Sequence, residues 1–428
     1  MFFGNSKSNV MKYESSLSFA KEQDANDQLK SYRDKFYIPK HTDGNDVIYF
    51  AGNSLGLQPK SVRLYVEQEL LDWERMGVEG HNNAKYPWLP YHEFLTKQTA
   101  NLVGAKSAEV VNMNSLTVNL HLMLVSFYRP TKERSKILIE ANAFPSDHYA
   151  VQSQIKYHGY DPAESLIEMK PREGEDVIKA EDIIEFIGKE GDSIALIMFA
   201  GVNYYTGQAF EFEKITTAGH EKGCVVGFDL AHAAGNLDMR LHDWDVDFGV
   251  WCSYKYINGG PGAIAGAFVH EKHIMDMSIP KFWGWWGQDK ATRFLMGHNF
   301  QPIPTVESWQ LSNPPILQLA ALRASLDLFD EAGIKNLRKK SEKLTSYAEF
   351  LINNNNNKTI SIITPSNPIE RGCQLSLRTE KNGRDLHKKL NNSGVICDWR
   401  EPDVIRIAPV PLYNTFEDVY KFVNILFK

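Results

Sequence analysis

The sequence contains few cysteines, and no pattern pairs them. Its 428 residues include four, Cys224, Cys252, Cys373 and Cys397, and none belongs to a Cys-x-x-Cys motif. Neither a zinc site built on such motifs nor a disulfide framework is therefore indicated. Three of the four stand among apolar or strand-like residues, which is typical of buried free thiols in a reducing cytosol.

The sequence also lacks a long apolar run and a strong charge of either sign. No run of about twenty apolar residues occurs, so no membrane span is expected, and residues 1–21 show no apolar core of a signal peptide. The formal net charge of −6 argues against a general binder of nucleic acid or anionic membranes. With 43% apolar and 23% charged residues, the composition is that of an ordinary globular protein. These features predict a cytoplasmic protein without nucleic-acid or membrane partners.

Strand and helix patterns alternate through the middle of the chain. Short apolar runs predict strands at 136–140, 194–199, 225–229, 246–251 and 264–270. Periodic apolar residues predict helices at 61–76, 91–103, 115–128, 146–158 and 212–222, with Ser61 as a candidate cap and a loop over 77–90. Such alternation predicts an α/β fold with a mainly parallel sheet covered by helices.

Towards the C-terminus, the pattern of predicted helices and strands changes. A long helical stretch over 314–353, broken near Gly333, precedes strand-like segments at 359–363, 373–378, 395–399 and 404–407 with helices at 384–392 and 415–427. We therefore predict an N-terminal arm over 1–60 that contributes to a small domain, a large domain over 61–330, and a smaller C-terminal α+β domain over 331–428. No internal repeat is evident.

The most informative residues are an acid, a histidine and a lysine at successive strand ends. Asp229 ends one predicted strand, His232 follows it, and Lys255 comes just after another strand. Ligands in parallel α/β folds bind beyond the carboxyl ends of the strands. A lysine amine forms a Schiff base with an aldehyde cofactor, and an aspartate can pair with a pyridinium nitrogen. The spacing predicts a pyridoxal 5'-phosphate (PLP) site and carbanion chemistry on an amino acid.

Each of these residues also has a bland explanation. A loop lysine such as Lys255 is usually solvated, an acid at a strand end such as Asp229 often caps the next helix, and a histidine among alanines such as His232 is more often packed in the core. It is the combination of the three that favours the functional interpretation.

Two further segments suit a PLP site, each with a structural alternative. Leu116 and Thr117 stand at a predicted helix start, where free N–H groups attract phosphate, although a plain cap by Ser115 explains the pattern equally well. Phe144 follows a predicted strand and can cover the face of a pyridine ring; the alternative is a strand-to-helix turn capped by Ser146.

The remaining motifs leave several functions open. The tryptophans of segment 283–287 fit an interface, a ligand contact or ordinary packing. Arg406, in an apolar strand, fits either a solvated face or the grip on a substrate carboxylate. The glycines at 260–262 lack the spacing of a nucleotide loop, and 270–273 is not an HExxH motif, so no metal is expected.

Taken together, these motifs resemble kynureninase, a family of PLP enzymes of the fold-type I aminotransferase superfamily with class V character. The resemblance covers nearly the whole chain, through residues 49–57, 79–81, 116–119, 144–147, 205–208, 228–235, 254–256, 284–287, 312–315 and 406–413. The lysine and the aspartate occur throughout the superfamily. The Trp-rich segment, 312–315 and 406–409 are much more specific.

The resemblance implies roles around the cofactor. Lys255 would carry the Schiff base and move the Cα proton, Asp229 would pair with the ring nitrogen, and His232 would support that side of the ring. Other residues would hold the ring or the phosphate: Leu116, Thr117, Phe144, Asp147, Tyr254, Asn313 and, reaching over between the subunits of a homodimer with shared active sites, Trp285. Ala200 stands where the family often has a hydroxyl residue, so one polar contact to the cofactor would be missing.

It also implies a reaction and a substrate site. Arg406 would take the substrate's α-carboxylate, and Ser54, His81 and Asn313 would face its aromatic end. The implied reaction is hydrolytic Cβ–Cγ cleavage of L-kynurenine or 3-hydroxy-L-kynurenine to anthranilate or 3-hydroxyanthranilate plus L-alanine, within tryptophan catabolism and NAD biosynthesis, with Tyr254 a candidate proton donor. His81 and Asn313 can hydrogen-bond a ring hydroxyl, which favours the hydroxylated substrate.

Two other functions remain as alternatives. Another PLP lyase, such as a cysteine desulfurase, would need a mobile nucleophilic cysteine, and Cys373 and Cys397 fall in strand-like segments. A non-catalytic dimeric scaffold that kept only the fold would lose the need for Lys255.

Overall fold

The structure is a computed structural model that describes residues 12–356 and 359–428. The first eleven residues of the predicted N-terminal arm therefore lie outside the described residues. Among the residues that are described, no helix is both long enough and apolar enough to cross a membrane.

Helices and strands alternate along the described chain much as predicted. The helices are α1 Leu17–Ala25, α2 Val62–Met76, α3 Gly80–Asn83, α4 Glu93–Val103, α5 Leu116–Phe127, α6 Pro145–Tyr157, α7 Pro162–Ser165, α8 Ala180–Glu190, α9 Phe212–Glu221, α10 Glu271–Ile274, α11 Ile316–Ala332, α12 Ile334–Asn353, α13 Gly383–Asn392 and α14 Phe416–Leu426. The strands are β1 Ile48–Tyr49, β2 Val110–Asn112, β3 Lys136–Glu140, β4 Leu166–Met169, β5 Ile194–Ala200, β6 Val225–Asp229, β7 Phe248–Trp251, β8 Gly266–Val269, β9 Ile360–Ile362, β10 Leu375–Thr379, β11 Val395–Ile396, β12 Asp398–Arg400 and β13 Val404–Ile407.

The largest sheet has seven strands in the order β2-β8-β7-β6-β5-β3-β4. The five strands from β7 to β4 pair in parallel, and β8 runs antiparallel to both of its neighbours. This confirms the predicted α/β class with a mainly parallel sheet. Crossovers of this kind bring the carboxyl ends of β3, β5 and β6 to one edge, which is where the predicted site residues meet.

The sheet is buried on both faces because its strands are apolar on both sides. Leu138, Phe199 and Phe228 belong to one hydrophobic cluster, whereas Ile139 and Met198 belong to another. Successive residues of a strand point to opposite faces, so these clusters lie on the two sides of the sheet. Helices cover both, as is usual for parallel strands.

A smaller sheet is formed by residues near the C-terminus. It has four antiparallel strands in the order β12-β13-β10-β9. Beside it, β1 pairs in parallel with β11, and the N–H of Ile48 donates to the carbonyl of Gly394 at 2.8 Å. Phe50 and Phe422 of α14 pack in the cluster under this sheet. The N-terminal segment is therefore bound to the C-terminal one by both hydrogen bonds and packing.

Three local predictions need correction. The segment 77–90 is not all loop, since Gly77–Glu79 is a 3₁₀ helix and α3 follows it. Ser61 precedes α2 but its side chain makes no capping hydrogen bond. The strand predicted over 395–399 is two strands, β11 and β12, that belong to different sheets. The break at Gly333 is confirmed, because its φ of 75° ends α11 before α12 begins.

Candidate active site

A pocket opens at the carboxyl ends of β3, β5 and β6. It brings together eight of the residues predicted from the sequence: Leu116, Thr117, Phe144, Asp147, Asp229, His232, Tyr254 and Lys255. They come from four separate chain segments, which only the topology of the sheet places side by side. The grouping agrees with the predicted location of the site.

Asp229 is a buried acid at the end of β6, only 6% exposed. Its Oδ1 accepts a hydrogen bond from the N–H of Ala231 at 2.6 Å, so it also caps the following turn. Burial raises the pKa of Asp229, and hydrogen bonds from Ala231 and Asp147 offset part of that rise. A buried carboxylate is costly without a cationic partner. A protonated pyridine nitrogen is such a partner.

Lys255 and His232 are in direct contact. The Nζ of Lys255 lies 2.8 Å from Nε2 of His232. Burial lowers the pKa of Lys255, and burial followed by the charge of Lys255 lowers the pKa of His232 well below its ordinary value. The imidazole therefore stays neutral, and the amine is a better nucleophile than a solvated lysine.

Two further carboxyl groups lie beside Asp229. Asp147 is hydrogen-bonded to Asp229, and burial followed by the Asp229 charge raises the pKa of Asp147 well above its ordinary value. Glu140 is 1% exposed at the end of β3, and its Oε2 accepts the N–H of Ala200 at 3.1 Å. Burial raises the pKa of Glu140 to about 8. Three adjacent buried acids cannot all be ionised, so this arrangement favours a single negative charge, on Asp229.

The amino-terminal ends of two helices meet at the pocket. Oγ1 of Thr117, in the first turn of α5, lies 2.8 Å from Oγ of Ser146, in the first turn of α6. The alternative that Ser115 caps α5 with its side chain is wrong, since no such hydrogen bond forms. First-turn N–H groups and two hydroxyls at converging positive helix ends are a fitting site for a phosphate.

Aromatic side chains bound the remaining sides. The Phe144 ring is 43% exposed, and the Nζ of Lys255 lies 5.7 Å from its centroid. Tyr204 packs edge-on against Phe144. Burial raises the pKa of Tyr254, so its hydroxyl keeps its proton.

These features fit PLP on grounds internal to the chain. The phosphate fits the ends of α5 and α6, the ring fits under Phe144, the ring nitrogen fits Asp229, and the aldehyde fits Lys255. The Oδ1 of Asp147 and the Nδ1 of His232 are buried and have no hydrogen-bond partner among the described residues. Orphaned polar atoms of this kind call for a polar ligand.

Five predicted residues do not line this pocket within one chain: Ser54, His81, Trp285, Asn313 and Arg406. Ser54 and Asn313 are exposed, and Trp285 is 48% exposed with its indole N–H donating to the carbonyl of Arg293. Ser54 lies close to the site nonetheless, because the N–H of nearby Gly56 donates to the carbonyl of Tyr254 at 2.8 Å.

His81 has a defined orientation near its own segment. Its Nδ1 lies 2.9 Å from the carbonyl oxygen of Val78, so Nδ1 carries the donated proton and Nε2 remains available. The ring packs edge-on against Trp88 at 5.4 Å. The side chain is thus held in one orientation before any substrate binds.

Arg406 lies behind the pocket wall. Its Nη1 donates to the carbonyl of Tyr204 at 2.6 Å, and its guanidinium forms an ion pair with Asp398. The alternative of a solvated face is wrong, because Arg406 is 1% exposed.

Sequence reasoning missed three contributors: Ser146 and Tyr204, which line the pocket, and Glu140, which lies behind Ala200. Ser146 was considered only as a helix cap, and Glu140 only as the charged end of a strand. A hydroxyl beside Asp147 at a helix start is a usable signal for phosphate, whereas nothing in the pattern around Tyr204 indicates its place.

The sequence also predicts buried free cysteines and no metal site at the segment 270–273. All four cysteines are free and buried, as expected. His270, from the segment 270–273, groups with Glu109 and His242 in the part of the chain that the structure describes. The Glu109 oxygens already accept protein hydrogen bonds, including one from the N–H of Glu271 at 2.8 Å. The expectation of no metal remains a prediction.

Comparison with known proteins gives consistent matches. Residues 337–426 match the family described as the kynureninase C-terminal domain. Kynureninase from Koribacter versatilis is 59% identical over 96% of this chain and 97% of its own length. Kynureninase from Myxococcus xanthus is 58% identical over 97% of each chain, and the one from Rattus norvegicus is 51% identical over 94% of this chain and 91% of its own.

Solved structures share the fold at low identity. A cysteine desulfurase from Thermococcus onnurineus matches with a TM-score of 0.73 and 18% identity over 89% of this chain and 93% of its own. A C-DES variant with glycine covalently linked to its PLP cofactor matches with a TM-score of 0.75 and 15% identity over 89% and 96%. At this identity the likeness supports the fold alone, which is that of fold-type I enzymes.

Proposed function

This chain belongs to the kynureninase family, and we propose that Lys255, His232, Asp229 and Tyr254 carry out its reaction. That reaction is the PLP-dependent hydrolytic cleavage of L-kynurenine to anthranilate and L-alanine. The observation that supports the assignment best is the contact between Lys255 and His232 beside the buried Asp229.

The bound cofactor supplies an electron sink for negative charge at the substrate's Cα. Leu116, Thr117 and Ser146 would hold its phosphate, Phe144 would cover its ring, and Asp229 would pair with its ring nitrogen. Asp147 donates a hydrogen bond to Asp229 and so helps to keep the negative charge on that residue. Trp285 and Asn313 complete the cofactor site from exposed segments.

Lys255 moves protons at the substrate. Its Nζ would hold the cofactor covalently, and the same amine takes the proton from the substrate's Cα. Neutral His232 accepts a hydrogen bond from that amine and orients it. This is general acid–base catalysis by a lysine that is kept partly neutral through burial.

Tyr254 acts as the proton donor at the end of the reaction. Its raised pKa keeps the hydroxyl protonated at neutral pH, so it has a proton to give to Cβ after carbon–carbon fission. Water attacks the γ-carbonyl, and its oxygen ends in the carboxyl group of anthranilate.

Arg406 binds the α-carboxylate and so fixes the substrate's orientation.

At the aromatic end of the substrate, Ser54, His81 and Asn313 face the ring. With its Nδ1 held by Val78, His81 offers Nε2 to a ring hydroxyl. We therefore favour 3-hydroxy-L-kynurenine, with 3-hydroxyanthranilate as the product. Comparable kcat/KM values for the two substrates would remove that preference.

The assembly proposed is a homodimer with shared active sites in the cytoplasm. Exposed aromatics near Trp285, including Phe282 and Trp283, support a partner that covers them. Free buried cysteines agree with a reducing compartment. The division into 1–60, 61–330 and 331–428 also stays a proposal, supported by the pairing of β1 with β11.

The two alternative functions find less support. A desulfurase needs a mobile, reactive thiol, but Cys252, Cys373 and Cys397 are buried, and burial raises the pKa of Cys252 to about 11. A scaffold without catalysis would have no reason to bury a lysine near Asp229 and Asp147.

The direct test is incubation of the purified, PLP-loaded protein with L-kynurenine while anthranilate fluorescence is followed. We expect fluorescence to grow together with L-alanine in equal amounts. Sulfide release from cysteine without anthranilate formation would favour the desulfurase alternative instead.

A further inference from the structure

Arg406 belongs to a cluster of three charged side chains on two paired strands. Asp398 lies directly opposite Arg406 in the antiparallel pair of β12 and β13, and Arg400 follows two residues later. Residues two apart on a strand point to the same face. Accordingly, the Oδ2 of Asp398 accepts from Arg406 and lies 3.0 Å from Nη2 of Arg400.

The cluster carries one uncompensated positive charge. It has two guanidinium groups and one carboxylate, and Arg406 itself is almost completely buried. The Nε atoms of Arg406 and Arg400 are both buried and have no hydrogen-bond partner among the described residues. The side chain of Arg400 is 35% exposed, so solvent screens its charge in part, whereas the buried charge of Arg406 is costly unless an anion joins it. The cluster is therefore one anion short.

The cluster adjoins the wall of the candidate active site. Arg406 donates to the carbonyl of Tyr204, which lines the pocket. The charges of Arg406 and Arg400 both contribute to the lowered pKa of His232, after burial and Lys255. Both arginines are thus near the imidazole that contacts the reactive amine.

We propose that Arg400 is a positioning residue for recognition of the substrate's α-carboxylate, acting through Asp398 on Arg406. This rests on the proposed function, in which Arg406 binds that carboxylate. Asp398 holds the Arg406 fork in place, but a simple pair of the two would be neutral. The substrate's carboxylate would then approach a guanidinium whose positive charge is already neutralised by Asp398, and it would be repelled by the negative charge of Asp398 itself. Arg400 shares the same Asp398 oxygen and restores a net positive charge.

The first test is Arg400→Gln in the PLP-loaded enzyme. We expect KM for L-kynurenine to rise about ten- to a hundredfold, since a charge-assisted contact is weakened, while kcat changes much less. Arg400→Lys keeps the charge and is expected to stay within about threefold of the wild type. Arg384→Gln, an exposed arginine paired with Glu401, serves as the matched control and should leave KM unchanged.

A double variant separates charge from structure. Asp398→Asn combined with Arg400→Gln leaves Arg406 as a single positive charge, so KM should return to within about threefold of the wild type. A merely structural Arg400 predicts the opposite, a double variant at least as impaired as Arg400→Gln alone, and that result would overturn the proposal. The inhibition constant of a kynurenine analogue without the carboxyl group should be the same for wild type and Arg400→Gln.

The variant Arg406→Lys distinguishes an error in the proposed role of Arg406 from an error in the inferred role of Arg400. If this variant leaves KM unchanged, the assignment of Arg406 in the proposed function is wrong. If it raises KM while Arg400→Gln does not, only the inference about Arg400 is overturned. Thermal unfolding of each variant checks that it is folded, and Arg400→Lys decides the question should Arg400→Gln not fold.

Discussion

The cofactor end and the substrate end of this site are built in different ways. At the cofactor end, Asp229, His232 and Lys255 lie at strand ends of one buried sheet and contact each other within a single chain. At the substrate end, Ser54 and Asn313 are exposed and lie outside the pocket of the same chain. The chemistry is therefore preorganised by the fold, whereas recognition depends on parts that must still be brought together.

This difference explains how one fold serves several reactions. Cysteine desulfurases share the architecture at 16–18% identity, and the lysine–aspartate pair suits any PLP chemistry. Selectivity for one substrate must then come from the exposed segments and from the charge cluster around Arg406. The following experiments test this difference between the cofactor end and the substrate end.

The largest effect should come from the cofactor end. Lys255→Ala removes the amine that we propose bonds to the cofactor and moves the Cα proton, so kcat should fall by at least about a thousandfold. The visible absorption band of bound PLP should shift or disappear in the same variant. Lys189→Ala, an exposed lysine on α8, is the control. A Lys255→Ala protein with normal turnover would mean that the catalytic amine lies elsewhere.

Next in size is the loss of the buried anion. Asp229→Asn keeps the shape of the side chain and its turn, but no longer stabilises a charged ring nitrogen, so kcat should drop about a hundredfold. The affinity for PLP, measured by spectroscopic titration of the cofactor-free protein, should fall as well. Exposed Asp238→Asn should alter neither quantity, and an equally damaged Asp238→Asn protein would count against a specific role for Asp229.

Much of the cofactor end could be predicted from sequence because its signals are local. The strands over 136–140 and 225–229 have the predicted bounds. Asp229 ends β6, and Lys255 lies in the turn that follows β7. Residue order alone brings them to the same edge of a parallel sheet. The family resemblance then supplied roles for residues that no pattern distinguishes.

What could not be predicted depends on contacts between distant segments. Glu140 ends β3 like any surface acid, and its burial follows from β5 lying next to β3, which puts Ala200 against its carboxyl group. The segment 395–399 divides because β11 pairs with β1, from the other end of the chain, whereas β12 pairs with β13. The sequence does not predict strand β4. It lies at the edge of the sheet, and Glu168 interrupts its apolar residues, so no continuous apolar run indicates a strand.

A smaller effect that depends on the partner subunit should come from Trp285, which lies on an exposed segment outside the pocket. If Trp285 completes a neighbour's site, Trp285→Ala should weaken PLP binding about tenfold through the loss of aromatic contact area. Trp73→Ala is the control, because Trp73 is also an exposed tryptophan but lies on α2, outside this segment.

Mixing variants tests the sharing directly. Chains with Lys255→Ala and chains with Trp285→Ala, each impaired alone, should regain activity when mixed and allowed to exchange subunits, because one site of each mixed dimer then has both residues intact. No recovery in a mixture that forms mixed dimers would mean that Trp285 serves its own chain. The proposed difference between a part of the site that lies within one chain and a part that two chains share would then be wrong.

The smallest effect should be a change in how stability depends on pH. Because burial raises the pKa of Glu140 to about 8, folding favours its protonated form. The stability gained in this way is complete below the pKa of the unfolded chain and is lost as the pH rises towards 8. Glu140→Gln is neutral at every pH, so relative to the wild type the cofactor-free variant should gain about 1–3 kcal/mol between pH 5 and pH 8. Thermal unfolding at both pH values measures this gain, with exposed Glu181→Gln as the control. An unchanged difference between variant and wild type would mean that Glu140 is ionised in the folded protein, and that the cofactor end holds more than one negative charge.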